Sequence, residues 1–229
     1  MSGSSAPRAL LSRSALIRNA RGLLSGGGVV DLRHDGLGHG LADVAPMVVE
    51  AGATGVLVDE DADLVRLAGL DIPVRTHGDA DVDPLSLFGI PGDAGAPGIP
   101  VMTLEGTVLS TKSLRQGEAV SYGYTHRAAR DTRVALVTGG YAQGILRALG
   151  NRARVGIAER THPIVGRIAM DVCVVDLEGE DAADGDRVIF FGGSGRMQDA
   201  LAQWSAVSGL TALEMAVVVG RRAERKWVA

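Results

Sequence analysis

Two spacings of apolar residues alternate along the first 90 positions of the chain. Short apolar runs of strand length alternate with segments in which apolar residues recur at helical spacing. The predicted order is helix 12–24, strand 29–32, helix 41–52, strand 54–59, helix 60–69, strand 72–77 and a last strand at residues 85–88. Alternating strands and helices are typical of a parallel α/β sheet, so we predict that fold class for this part.

Glycine and proline concentrate in the stretch IPGDAGAPGIP at residues 90–100, and such clusters mark loops and linkers. We therefore divide the chain into an α/β domain over residues 1–92, a linker over 93–100 and a second domain over 101–229. In the second domain, apolar runs of strand length are separated by glycine, which predicts a mostly β structure. Residues 197–209 are predicted as a helix, and residues 210–220 fit either a helix or a strand.

The composition of the chain argues against nucleic-acid and membrane partners. The 229 residues carry a net charge of −4 and only 3% aromatic residues, which argues against a nucleic-acid surface. No apolar run approaches the roughly 18 residues of a membrane-spanning helix, so we expect no membrane partner. The single cysteine, Cys173, cannot form an intrachain disulfide, which favours a reducing, cytoplasmic location. We identify no metal-ligating motif and predict no metal.

Gly36, Gly38 and Gly40 follow the first predicted strand, and Asp59 lies about 20 residues further on, as in a dinucleotide-binding fingerprint. Leu41 stands where the third glycine belongs, and three polar residues separate the strand from the first glycine. We therefore favour an ordinary βα turn over a nucleotide site. The sequence GGSG at residues 192–195 is a second, weaker candidate for an anion loop.

Residues 100–229 resemble the C-terminal domain of alanine racemases, pyridoxal-phosphate enzymes that interconvert L- and D-alanine. The most specific match is PIVGRIAMD at residues 163–171, followed in the family's order by GDRVIFFG at 185–192. The first half is similar more loosely. SRSALIRNARGLL resembles the opening helix, RHDGLGHG the cofactor-lysine segment K-A-D-A-Y-G-H-G, and VDPLSLFG the last barrel strand.

The resemblance implies a (β/α) barrel followed by an all-β domain, but the barrel would be incomplete. A TIM-like barrel needs about 250 residues, whereas only residues 1–92 precede the linker. We therefore predict about half a barrel, lacking the family's partner for the pyridine nitrogen and most of its phosphate site. Half a barrel leaves unpaired sheet edges, so a homodimer or higher oligomer is expected.

The resemblance places the cofactor lysine at Arg33. A racemase lysine forms an imine with pyridoxal phosphate, which requires a neutral primary amine, and a guanidinium is neither neutral nor a usable nucleophile. The lysines of the chain, Lys112 in the β half and Lys226 at the tail, do not substitute for it.

Three further positions depart from the family. His126 stands where the family has its tyrosine base. A histidine can move protons near neutral pH, although an ordinary surface or barrel histidine is the simpler interpretation. Leu37 and Leu213 stand where tyrosines enclose the cofactor near its phosphate, and leucine offers no hydrogen bond. We therefore predict that pyridoxal phosphate binding is lost.

Other family positions are retained. Met170 and Asp171 match a Met-Asp pair near the substrate carboxylate, and Tyr141 matches a tyrosine lining the way into the active site. In the family these residues reach the partner subunit's active site. Each also has an ordinary structural explanation, as a turn acid or a packing residue. Together they indicate a remnant of the substrate pocket wall.

Two functions remain open from the sequence. In the first, the protein is a catalytically inactive racemase homologue that acts as a binding, assembly or regulatory subunit, with itself or with a full-length alanine racemase. In the second, it is a divergent amino-acid racemase or epimerase. His126 would then be a base, and Asp171 or Arg33 would hold a carboxylate.

Overall fold

The computed structural model describes residues 6–92 and 98–229. The first part contains β1 (Arg8–Ser12), α1 (Arg13–Leu23), β2 (Val29–Asp31), α2 (Arg33–Leu37), α3 (Leu41–Glu50), β3 (Gly55–Leu57), α4 (Asp61–Arg66), β4 (Val74–Arg75) and α5 (Pro84–Phe88). The second part contains β5 (Met102–Leu114), β6 (Ala119–Val120), β7 (His126–Arg127), β8 (Thr132–Thr138), β9 (Arg154–Ile157), β10 (Arg160–Val165), β11 (Val172–Asp176), β12 (Arg187–Phe191), α6 (Ala200–Ser208), α7 (Ala212–Arg222) and β13 (Glu224–Val228). Most of the predicted linker, residues 93–97, lies outside the described residues.

A three-stranded parallel sheet in the order β2-β3-β4 confirms the α/β prediction for the first part. Val30 pairs with Val56, which pairs in turn with Val74. The central strand is buried on both faces, as parallel strands usually are. Helices α1 and α3 confirm the predicted helices at these positions and pack against each other.

The prediction of a strand at residues 85–88 is wrong, because these residues form helix α5. Asp83 caps the helix by accepting hydrogen bonds from the backbone N–H groups of Leu85 and Ser86. Pro84 occupies the first turn, where its fixed φ and missing N–H suit a helix, and Gly89 ends it in the left-handed region with φ 61°. These local signals override the apolar run, so the sheet has three strands among the described residues.

The second part is built on an eight-stranded sheet in the order β12-β9-β10-β11-β8-β5-β1-β13. Strand β12 also pairs with β5, so six of the strands close into a ring. The thirteen-residue β5 makes this closure possible, because β12 pairs along its first half and β8 along its second. The prediction of a mostly β structure for this part is confirmed, and two helices, α6 and α7, belong to it as well.

Two strands of this sheet come from opposite ends of the chain and were not predicted. Strand β1 pairs in parallel with β13 and antiparallel with β5. The buried apolar residues form one continuous main core, which extends from Ala9 to Ala223 and includes both parts of the chain.

Residues 210–220, left open between helix and strand, belong to helix α7. Thr211 accepts a hydrogen bond from the Glu214 N–H, and the Glu214 carboxylate accepts one from the Thr211 N–H. This reciprocal cap fixes the start of the helix. Helix α6 lies within the helix predicted at residues 197–209.

Among the described residues, no single helix is both long and apolar enough to cross a membrane. Helices α6 and α7 reach that length only together, and they are bent by 105°.

Candidate functional site

A cavity of about 640 Å³ opens where three loops of the β-domain meet. Its lining residues are Tyr122, Tyr141, Arg147, Arg167, Ile168, Ala169 and Met170. The walls are thus largely aromatic and apolar, with two guanidinium groups among them. Such a cavity suits a small molecule or a partner side chain that carries a negative group.

Backbone hydrogen bonds hold two of these loops together. The N–H groups of Tyr141 and Ala142 donate to the carbonyls of Ala169 and Met170, both at 3.0 Å. Gly140 allows this close contact, because a Cβ on that residue would lie 2.2 Å from the Met170 carbonyl oxygen. The position of Tyr141 beside Met170 is therefore set by backbone geometry and does not depend on side-chain packing alone.

The side chains around Tyr141 form a charged and aromatic cluster. The Arg147 guanidinium lies over the Tyr141 ring at 4.2 Å from its centroid, a cation–π contact. Arg222 donates a hydrogen bond to the Tyr141 carbonyl at 3.2 Å. Asp171, the third predicted wall residue, does not line the cavity. Its carboxylate accepts a hydrogen bond from the Gln143 amide at 3.0 Å.

Sequence reasoning did not single out three lining residues, Tyr122, Arg147 and Arg167. Arg167 lies within the PIVGR motif, and its carbonyl accepts a hydrogen bond from the Ser121 hydroxyl at 2.7 Å. That bond holds the loop carrying Tyr122 beside the motif. The dense match around both segments was a usable signal for these two residues, whereas nothing in the sequence pointed to Arg147.

His126 is half-buried on β7, opposite Val120, and it is not among the lining residues of the cavity. Its buried imidazole Nε2 has no hydrogen-bond partner in the described part of the chain. The His126 ring nitrogen is therefore available for a hydrogen bond. The cavity wall, however, contains Tyr122 and not His126.

Arg33 lies two residues after the end of β2, at the carboxyl end of the parallel sheet. Its guanidinium makes a two-pronged ion pair with Asp31, with Nε 2.9 Å from Oδ1 and Nη2 2.5 Å from Oδ2. This hydrogen bonding to Asp31 raises the pKa of Arg33. Burial works to raise the pKa of Asp31, but the hydrogen bonds from Arg33 outweigh it and lower that pKa. Both groups are thus held in their charged forms.

Leu37 and Leu213 both contribute to the apolar core. Leu37 is buried at the end of a left-handed turn, and Leu213 is half-buried at the start of α7. Gly38 follows the turn with φ 84°, and a Cβ there would lie 2.9 Å from the Val217 Cα. The glycine loop therefore packs directly on α7, which gives its glycines a structural role without a nucleotide.

Pyridoxal phosphate, which the resemblance implies, does not fit these residues. The side chain at the end of β2 is a paired guanidinium, and the positions near the phosphate are apolar. Lys112 lies exposed on β5 and Lys226 lies exposed on β13, so neither amine stands at the end of β2.

Replacing Gly140 with alanine is expected to lower the free energy of unfolding by about 1–3 kcal/mol, because the new methyl group collides with backbone that cannot rotate away. Gly22→Ala is the matched control. Gly22 lies exposed in α1 with open space around it, and alanine there should stabilise by about 0.5–1 kcal/mol. Urea unfolding of the two variants measures whether the free energy of unfolding falls in Gly140→Ala and rises in Gly22→Ala. An unchanged midpoint for Gly140→Ala would contradict the clamped geometry.

The second part of the chain matches a known protein family. The family described as "Alanine racemase, C-terminal domain" matches residues 101–227. An alanine racemase from Mycobacterium avium is 47% identical over 120 residues, 52% of this chain and 30% of that protein. One from Thermobifida fusca is 39% identical over 178 residues, 76% of this chain and 44% of that protein. The chain thus spans less than half the length of these relatives.

Solved structures show the same fold. Alanine racemase from D-cycloserine-producing Streptomyces lavendulae aligns with a TM-score of 0.85 at 19% identity, covering 99% of this chain and 98% of that chain. Alanine racemase from Bacillus anthracis with bound L-Ala-P aligns with a TM-score of 0.85 at 16% identity, covering 100% of this chain and 96% of that chain.

Proposed function

The chain belongs to the alanine racemase family, and we propose that it is a member that does not racemise alanine by the family's usual route. It acts instead as a binding, assembly or regulatory subunit. The observation that carries the proposal is Arg33, a guanidinium fixed by Asp31 at the position where the resemblance requires an amine. No imine can form there, so this position cannot anchor the cofactor covalently.

We propose further that the first part of the chain is about half of a (β/α) barrel. Its three parallel strands with flanking helices support this, as does the alignment with whole racemase chains. Among the described residues, β4 has β3 as its only partner strand and β2 pairs only with β3. Open edges of this kind are suited to pairing with another subunit.

The face around the cavity supports a second subunit as the partner. Tyr122 and Tyr124 are 79% and 69% exposed, and Met170 is 55% exposed. Tyrosine and methionine are enriched at protein interfaces, and a cluster of large exposed side chains marks an interaction surface. The partner is a second copy of this chain or a full-length alanine racemase, whose pocket Tyr141 and Met170 would complete.

Light scattering on the purified protein at micromolar concentration is expected to give the mass of a dimer or larger oligomer, alone or with the Thermobifida fusca racemase. Met170→Asp should weaken this association at least about tenfold, because it places a charge in the contact surface. Val65→Asp is the matched control, since Val65 is 77% exposed on α4. A monomer that changes neither the elution volume nor the rate of the racemase would contradict the proposal.

The alternative, a divergent amino-acid racemase or epimerase, is favoured by one observation. The buried Nε2 of His126 has no partner in the described part of the chain and could accept a proton. Against it, His126 does not line the cavity that holds Tyr141 and Met170. A reaction with one amino acid that is lost in His126→Ala would establish this alternative.

A further inference from the structure

A second cavity, of about 340 Å³, lies at the turn between β12 and α6. It shares no residue with the cavity around Tyr141. Its walls are the glycine-rich loop 192–197, the turn between β9 and β10, and the side chains of Arg160, Arg187 and Arg196. We propose that this cavity binds a phosphate group, either free or as an ester.

Close contacts fix the two ends of the glycine-rich loop, at Gly192 and Met197. Gly192 donates its N–H to the Met197 carbonyl at 2.9 Å and has φ 86°. A Cβ on Gly192 would lie 2.1 Å from the Met102 carbonyl oxygen, so only glycine lets the loop approach β5 this closely. On the other side, a Cβ on Gly156 would lie 2.9 Å from the Met197 Cγ, which forms the buried floor. A preformed loop loses little entropy when it binds a ligand.

The groups facing this cavity are mainly positive. Arg187 is paired with Glu105, which also lies 3.7 Å from Arg8, and Arg160 is paired with Glu180. Arg196 makes no hydrogen bond or ion pair with any residue of the described ranges 6–92 and 98–229. Its guanidinium is therefore free to bind an anion, and guanidinium groups match the geometry of phosphate oxygens.

Backbone N–H groups add neutral hydrogen-bond donors to these charged side chains. None of the N–H groups of Gly193, Ser194, Gly195 and Arg196 donates to an acceptor in the residues that the structure describes. Successive free N–H groups in a loop form a common cradle for phosphate oxygens. The arginines and the loop thus offer both charged and neutral donors to one small anion.

Glu159 is the negative group on the rim of the cavity. The adjoining cavity shares Glu159, Arg160 and Arg196 and adds Glu178 and Glu180. Negative charge therefore increases away from the loop, which places the anion at the loop end. Any remainder of an esterified ligand would extend towards the carboxylates, where hydroxyl or amine groups are the favoured partners.

Titration of the full chain with inorganic phosphate and with glycerol 3-phosphate, whose hydroxyl groups can meet the carboxylates, followed by ³¹P NMR at low ionic strength, tests the site. We expect millimolar or tighter binding of at least one of them, weakened about tenfold in Arg196→Gln, which removes one charged donor. Glu159→Gln should tighten binding. Preference for glycerol 3-phosphate would identify an esterified ligand, and preference for inorganic phosphate a free one.

Arg130→Gln is the matched control, since Arg130 is exposed, lies outside both cavities and has the same charge. It should bind both probes like the wild type. Binding of neither probe, or an equal loss in Arg130→Gln and Arg196→Gln, would overturn the proposal, because the second result would reflect net charge alone. Circular dichroism confirms that each variant is folded.

Discussion

Lowering the pH from about 7 to about 4 is expected to remove about 3 kcal/mol of unfolding free energy through His39 alone. His39 is completely buried, and burial lowers its pKa from 6.5 to about 4. The ring stacks on Phe88 at 4.0 Å, and its Nδ1 lies 3.1 Å from the Leu37 carbonyl. Nε2 has no partner among the described residues, so a proton added there would be buried without compensation.

The direction of this effect follows from proton binding in the two states. Between about pH 6.5 and pH 4 the unfolded chain holds the proton on His39 and the folded chain does not. The unfolded state is therefore favoured as the pH falls through this window. Above it the ring is neutral in both states, and the full stability is present.

Urea unfolding at several pH values across this window measures the effect. His39→Phe keeps the stack on Phe88 and removes the titrating group, so its stability should fall less steeply with acid than that of the wild type. His39→Gln provides a second variant if phenylalanine disturbs the packing. Carboxylates titrate in all of these proteins and cancel in the comparison. Parallel pH profiles for the wild type and both variants would contradict the assignment.

The elements that could be predicted from the sequence are those whose signals are local. Helices α1 and α3 and strand β3 follow directly from apolar spacing. Strands β1 and β13 could not be predicted in this way, because each is defined by pairing with a distant part of the chain. The segment at 85–88 shows the opposite case, in which the cap at Asp83 and Pro84 was a local signal that the apolar run obscured.

The candidate site was predictable only in part for a similar reason. The resemblance to the family identified Tyr141 and Met170, and both line the cavity. Arg147 reaches it through its contact over the Tyr141 ring, which depends on how the turns fold after β8. Asp171 was expected in the wall, but its hydrogen bond with Gln143 turns it towards a neighbouring loop residue. Such side-chain choices depend on three-dimensional neighbours that no spacing reveals.

The second large effect expected is the complete absence of alanine racemisation, even with pyridoxal phosphate supplied. Arg33 stays paired with Asp31 and offers no free amine. Any imine that added aldehyde forms with a side chain would be at the exposed Lys112 or Lys226, away from the end of β2. Both can be removed together in Lys112→Arg/Lys226→Arg, a variant without lysine that keeps the charge.

The most direct measurement is proton NMR of L-alanine in deuterated buffer with the protein and pyridoxal phosphate, followed by borohydride reduction and peptide mass mapping. We expect the α-proton signal to persist as in a protein-free sample. Any pyridoxyl adduct on a side chain of the wild type should be absent from the variant without Lys112 and Lys226. Exchange of the α-proton with accumulation of D-alanine, catalysed by the wild-type protein, would contradict the account.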